Sequence, residues 1–117
     1  MSSENKNTIL LEVELDDQKH PTKLLWSATD HPNGPQKTEC KGMLLSLFDG
    51  EHKDTFRIDL WTKEMQVAEM DMFVYQTLRG LADTYYRATN NAQLGGAIQQ
   101  LAQFFGEEAK LIDKKEQ

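Results

Sequence analysis

The chain has 117 residues, of which 38% are hydrophobic and 27% are charged, and its formal net charge is −6 at pH 7. A chain of this size and composition can bury a core without metal ions or disulfides, so we expect one domain over residues 1–117, with disordered ends at 1–7 and 113–117. The acidic balance disfavours nucleic acid as a partner, and no apolar run reaches the ~20 residues that span a bilayer.

The amino terminus and the cysteine count indicate the compartment. The first seven residues contain no hydrophobic stretch of the kind found in secretory signal peptides. Cys40 is the single cysteine and cannot form an internal disulfide, which fits a reducing environment. We therefore expect a cytoplasmic protein with no direct insertion into a membrane.

Alternating apolar residues predict two strands near the amino terminus. Apolar residues occupy every second position from Ile9 to Leu15. A second alternation, around Trp26, follows a polar segment that ends at Pro21. This pattern is typical of a hairpin with a medium loop. Trp26 is interpreted as a core residue because it shares a face with neighbouring apolar residues. Two prolines, an asparagine and a glycine then predict a surface loop at 29–37.

The next segment, from Thr38 to Gly50, allows two interpretations. Apolar residues recur at helical spacing from Cys40 to Leu47, and Gly50 would suit a helix C-cap. The same run could extend and pair with the strand that follows. We favour a short helix over 40–48 and keep the strand, which would give a sheet of four strands instead of three, as the alternative.

Strict alternation gives the strand that begins at Phe56 two unlike faces. The apolar face is expected to lie in the core: Phe56, Ile58 and Leu60. The opposite face carries two charges and an indole: Arg57, Asp59 and Trp61. A charge pair beside an amphipathic ring is a composition found at interface hot spots. The alternative is that the chain itself covers this face and that Arg57 and Asp59 satisfy each other.

Candidate partner-binding residues follow from this face and from a second polar position. They are Arg57, Asp59, Trp61, Thr62, Lys63 and, at the start of the 29–37 loop, Asp30. The histidines and Cys40 do not fall at metal-ligand spacing, and no phosphate-binding glycine loop is present. The adjacent carboxylates at 16–17 and 107–108 are interpreted as solvated. We therefore predict no cofactor, no metal and no catalytic residue.

Two helices are predicted in the last part of the chain. The longest periodic segment runs from about Gln66 to Ala88, and polar residues at 89–91 end it. A second helix follows, in which Gly95 and Gly96 require either close packing or a frayed first turn. The predicted fold is α+β: a small antiparallel sheet of three or four strands, with the two C-terminal helices packed on one face.

Several strings resemble the gliding-motility-associated GldC family. They are Met43-Leu44-Leu45-Ser46-Leu47-Phe48-Asp49, Thr55-Phe56-Arg57-Ile58-Asp59-Leu60-Trp61-Thr62-Lys63-Glu64-Met65, and parts of the segment from Phe73 to Thr89. The hairpin that leads to Trp26-Ser27-Ala28-Thr29-Asp30 is also similar to that family. The resemblance implies a small cytoplasmic accessory protein of bacterial gliding, with no assigned catalytic activity.

Two functions of different classes are compatible with these patterns. The first is a non-enzymatic protein-interaction module, whose partners would be other components of the gliding machinery or a second copy of the chain. The alternative is a small-molecule-binding protein or enzyme that uses the 29–37 loop together with the Arg57 and Asp59 face. An interaction module should present a flat or grooved patch near Trp61, whereas an enzyme needs a concave site with convergent polar groups.

Overall fold

The structure is a computed structural model that describes residues 5–32 and 36–114. These residues group into two compact units, one that ends at Met65 and one that begins at Gln66. The elements are β1 (Ile9–Leu15), β2 (Pro21–Ala28), β3 (Thr38–Cys40), β4 (Gly42–Asp49), β5 (Asp54–Trp61), α1 (Val67–Thr89) and α2 (Ala92–Glu108). The predicted α+β class is confirmed, while the single domain and the packing of the helices on a sheet stay predictions.

The predicted disorder at the two ends falls partly on residues that the structure does not describe. Residues 1–4 and 115–117, and positions 33–35 of the predicted loop, lie outside the described residues. The described part of the amino-terminal segment makes a defined contact, because the Asn7 amide donates to Asp30 Oδ2 at 3.1 Å.

The first sheet is antiparallel, in the order β1-β2-β3. Cross-strand pairing places the apolar residues of β1 beside those of β2 on one face: Ile9 opposite Ala28, Leu11 opposite Trp26, and Val13 opposite Leu24. Leu24 is fully buried, whereas Trp26 is half-buried with its ring edge against His31 at a centroid distance of 4.8 Å. The β2 side of this face therefore supplies the core.

The second sheet is a hairpin of β4 and β5, so the helix favoured over 40–48 is wrong. Its apolar side chains pair across the hairpin: Met43 with Leu60, Leu45 with Ile58, and Leu47 with Phe56. A short apolar run carries helical and strand periodicity at once, and here the complete ladder with β5 decides between them. Gly50 accordingly lies in the hairpin turn and is not a helix cap.

The predicted burial of Phe56 is also wrong. Its side chain is 61% exposed and that of its partner Leu47 is 53% exposed, whereas Ile58 and Leu60 are half-buried. The exposed pair lies next to the hairpin turn. At the opposite end of the hairpin, the Thr62 amide donates to the Lys41 carbonyl at 2.9 Å. Burial along this face therefore decreases toward the turn.

The two helices form the second unit and begin and end at well-defined caps. The Gln66 amide donates to Glu69 Oε1 at 2.9 Å at the start of α1, and Asn90 ends it with a left-handed φ of 59°. Asn91 Oδ1 then accepts from the Leu94 amide at 3.0 Å at the start of α2, so only Asn90 and Asn91 separate the two helices. The predicted helix over 66–88 is confirmed within one residue at each end.

Two glycines let α1 and α2 pack closely. A Cβ added at Gly95 would lie 3.2 Å from Tyr86 Cβ, and one added at Gly106 would lie 2.7 Å from Tyr75 Cε1. The close-packing alternative at Gly95 is therefore correct. Tyr75, together with Ala82 and Ala102, supplies the buried hydrophobic side chains of this unit.

Candidate partner-binding site

One face of β5 carries the predicted charge pair and indole: Arg57, Asp59 and Trp61, here called the recognition face. Trp61 lies opposite Gly42 of β4, which has no side chain to cover the indole. The indole is accordingly exposed, at 55% of its surface. Trp61 and Arg57 are therefore exposed along the hairpin, whereas the chain itself partly covers Asp59 between them.

Arg57 and Asp59 pair with each other, as one of the alternatives predicted. Arg57 Nη2 lies 2.6 Å from Asp59 Oδ2, and the two side chains are 61% and 32% exposed. A pair exposed to this degree contributes little to stability, because solvent screens the charges. The pairing orients the two charges without removing them from the surface.

A small cavity of about 240 Å³ lies beside the indole. Its lining residues come from the start of β2 and the end of β5: His20, Pro21, Asp59, Leu60, Trp61, Thr62 and Lys63. Pockets for small-molecule ligands are usually about 300–1,000 Å³, so this one is below that range.

Thr62 is the buried member of the predicted set, with 4% of its surface exposed. Its amide donates to Lys41 and its carbonyl accepts from Met65 at 3.1 Å, so its backbone anchors the end of β5. Its hydroxyl Oγ1 and Asp59 Oδ1 are shielded from solvent and have no hydrogen-bond partner among the described residues. Each such group costs about 1–3 kcal/mol while it is unsatisfied.

Lys63 is held by Asp16, so the interpretation of the carboxylate at position 16 as simply solvated is wrong. Lys63 Nζ lies 2.5 Å from Asp16 Oδ2. Asp16 Oδ1 also accepts from the amides of Gln18 and His20, both at 2.9 Å. The Lys63 bond, followed by the amide bonds, lowers the pKa of Asp16 to about 2. The available signal was an aspartate that opens a tight turn, whose side chain commonly caps the amides that follow.

Asp30 is not brought to the recognition face. Pro21 lines the cavity at the start of β2, while Asp30 follows Ala28 at the far end of that strand. A strand rises about 3.3 Å per residue, so the two ends are well separated. At the other end of the loop, Lys37 Nζ lies 2.9 Å from Glu12 Oε1 on β1. Within the described residues, the 29–37 loop and the recognition face thus lie at different places.

A family model described as "Gliding motility-associated protein GldC-like" matches residues 21–111. The chain belongs to the GldC-like family. This match confirms the resemblance inferred from the sequence, and membership implies an association with gliding motility. No curated protein and no solved structure matches the chain. The GldC-like match covers the recognition face and most of the cavity lining, including Pro21, and it begins after β1.

Three further features of this GldC-like protein concern metal binding, thiol chemistry and membranes. Within residues 5–32 and 36–114, no three histidine, cysteine or acidic side chains gather as metal ligands would. Burial raises the pKa of the Cys40 thiol, which disfavours the reactive thiolate form. Neither helix that the structure describes has the length and apolar character needed to cross a membrane.

Proposed function

We propose that this GldC-like chain is a non-enzymatic, cytoplasmic accessory protein of gliding motility that binds a protein partner through the recognition face and the adjoining cavity. The observation that carries the proposal is the exposed indole of Trp61 beside an apolar depression. Tryptophan and arginine are enriched at interface hot spots, which cluster in pockets that exclude water. The partner's anchor side chain would enter the cavity against Trp61 and Leu60.

The polar groups around the cavity support binding more than catalysis. Arg57 and Lys63 are each held in an ion pair, and Asp16 is fixed as a carboxylate by its lowered pKa. A carboxyl group that acts as a general acid or base at neutral pH needs a pKa raised toward 7. The pKa of Asp16 is instead lowered.

Affinity capture from a lysate of a gliding bacterium tests this proposal. The bait is the full chain, beside Trp61→Ala and Arg57→Ala, with captured proteins identified by mass spectrometry. The matched control is Phe104→Ala, because this aromatic residue on α2 is 60% exposed and lies outside the recognition face. We expect at least one gliding protein to be retained by the wild type and Phe104→Ala and lost with Trp61→Ala.

Three results would contradict the proposal. One is an identical set of captured proteins for the wild type and Trp61→Ala, when both are folded by circular dichroism. The other is normal colony spreading by cells whose chromosomal copy carries Trp61→Ala, when cells that lack the protein do not spread. A loss of capture that is equal for Trp61→Ala and Phe104→Ala would also contradict the assigned site.

A further inference from the structure

The first strand of the chain has an outer edge that no described strand pairs with. β1 lies at the end of the order β1-β2-β3, and its apolar residues are exposed on both faces: Ile9, Leu10, Leu11, Val13 and Leu15. Soluble proteins usually protect such an edge with lysine, proline or a very short strand. The seven residues of Ile9–Leu15 contain neither lysine nor proline, their two charged residues Glu12 and Glu14 lie on the face opposite Leu11, and the register irregularity is confined to Glu14 and Leu15. The edge from Ile9 to Val13 is therefore open to pairing with another strand.

The pairing with β2 determines which backbone groups are available. The register that pairs Ile9 with Ala28 places Thr8 opposite Thr29 when it is extended by one residue. The Thr29 amide donates to the Thr8 carbonyl at 3.1 Å, and the Thr8 amide donates to Thr29 Oγ1 at 3.1 Å, so the backbone groups of Thr8 point toward β2. Bonded and non-bonded pairs alternate along an antiparallel ladder. The amides and carbonyls of Ile9, Leu11 and Val13 therefore point away from β2, toward the open edge. Their side chains lie on the face that also carries the core residues of β2.

We propose that two copies of the chain associate by antiparallel pairing of β1 with β1 about a two-fold axis at Leu11. In this register Leu11 lies opposite Leu11 of the second copy, and Ile9 lies opposite Val13. Each outward-pointing residue then forms a hydrogen-bonded pair, and the two three-stranded sheets become one continuous sheet. The exposed apolar side chains of Ile9 and Val13 cover each other across the new pair.

Charge selects this register over its neighbours. With the axis at Leu11, Glu12 lies opposite Leu10 of the second copy, so no glutamate faces another glutamate. An axis at Glu12 would place two carboxylates directly opposite, which is destabilising, and an axis at Leu10 would shorten the overlap. Lys37 Nζ lies 2.9 Å from Glu12 Oε1 and partly compensates the negative charge of that carboxylate. A two-fold rotation about Leu11 brings the apolar residues Ile9, Leu11 and Val13 opposite Val13, Leu11 and Ile9 of a second copy. A second copy of the chain therefore fits this edge, and two-fold symmetry is the commonest symmetry of homo-oligomers.

Sedimentation velocity of the full chain tests the association. The wild type is expected at twice the chain mass of 13.4 kDa, falling to the single mass on dilution. Leu11→Lys places two ammonium groups together at the axis and is expected at the single mass. The matched control is Leu10→Lys, on the other face of the same strand, which places its ammonium opposite Glu12 and should remain a dimer. A mixture of Leu11→Lys and Leu11→Glu should recover the doubled mass.

A cross-linking experiment tests the register with substitutions that add no charge. In a Cys40→Ser background, Leu11→Cys brings two thiols to a pair whose Cα atoms are about 5.5 Å apart, within disulfide range. Oxidised glutathione should convert it to a covalent dimer, whereas Leu10→Cys should stay largely uncrosslinked because its copy lies two positions away. A monomeric wild type, a doubled mass for folded Leu11→Lys, or equal cross-linking of the two cysteine variants would overturn the proposal.

Discussion

The ammonium group of Lys63 lies 2.5 Å from Asp16 Oδ2 and joins the turn between β1 and β2 to the segment that follows β5. The same carboxylate caps the amides of Gln18 and His20. His20 and Lys63 both line the cavity beside Trp61, so this ion pair fixes one wall of the candidate site. Asp16 thus links local turn geometry to the site without belonging to the recognition face.

The lowered pKa of Asp16 predicts an acid-sensitive contribution to stability. Its ordinary value is 3.8 and its folded value is about 2, so the folded state favours the carboxylate and the unfolded state binds the proton more readily. The contribution is complete above about pH 4 and is lost as the pH falls toward 2. We expect the melting temperature of the wild type to fall more steeply in this window than that of Asp16→Asn. Asp17→Asn is the neighbouring control and should keep the wild-type slope.

The Arg57 and Asp59 pair should couple only weakly. A double-mutant cycle with Arg57→Ala, Asp59→Ala and the double variant, measured by urea unfolding, is expected to give a coupling of about 0.2–1 kcal/mol, because both side chains are partly solvated. A coupling above about 2 kcal/mol would show that the pair serves to hold the hairpin together. A low value leaves both charges available to a partner.

Removal of the Trp61 side chain should leave the fold nearly intact. The indole is 55% exposed and faces Gly42, so Trp61→Ala is expected to shift the melting temperature by only a few degrees in either direction. Thermal unfolding followed by circular dichroism measures the shift. A collapse of folding would mean that Trp61 is a core residue and would remove the basis of the recognition face.

Leu24 should be among the most sensitive positions of the strand unit. It is fully buried, so Leu24→Ala is expected to destabilise the protein by about 2–5 kcal/mol through lost burial and the cavity that remains. The control is Leu47→Ala, since Leu47 is 53% exposed and should lose much less. Urea unfolding of both variants decides the matter, and equal losses would contradict the assigned core.

Gly106 tests the contact between the two helices. Gly106→Ala would place its Cβ 2.7 Å from Tyr75 Cε1 and 3.0 Å from Ile112 Cδ1, and we expect a destabilisation of about 1–3 kcal/mol from the displaced ring. The matched control is Gly96→Ala, where no atom lies within 4 Å of the added Cβ and helix propensity alone should stabilise the protein by up to about 1 kcal/mol. If Gly106→Ala proves equally stabilising in thermal unfolding, the close approach of Tyr75 is refuted.

The part of the candidate site that lies on the single strand β5 could be predicted from the sequence. Alternation alone places Arg57, Asp59 and Trp61 on a common face, because successive side chains of a strand point to opposite sides. Which face is covered depends on residues elsewhere in the chain. The exposure of Phe56 and the separation of Asp30 from Trp61 both follow from how β5 and β2 lie in their sheets.

By itself, the sequence determined the two helices, the ends of α1 within one residue, the two-faced character of β5 and the family. These follow from interactions within a few residues: apolar periodicity for α1, caps such as Asn91 with the Leu94 amide, and period-two alternation in β5. Only the tertiary structure decided that residues 42–49 form a strand, that Asp16 holds Lys63, and that a cavity opens beside Trp61. Each of these depends on partners distant along the chain, and a local pattern carries no information about which distant residue will pair with it.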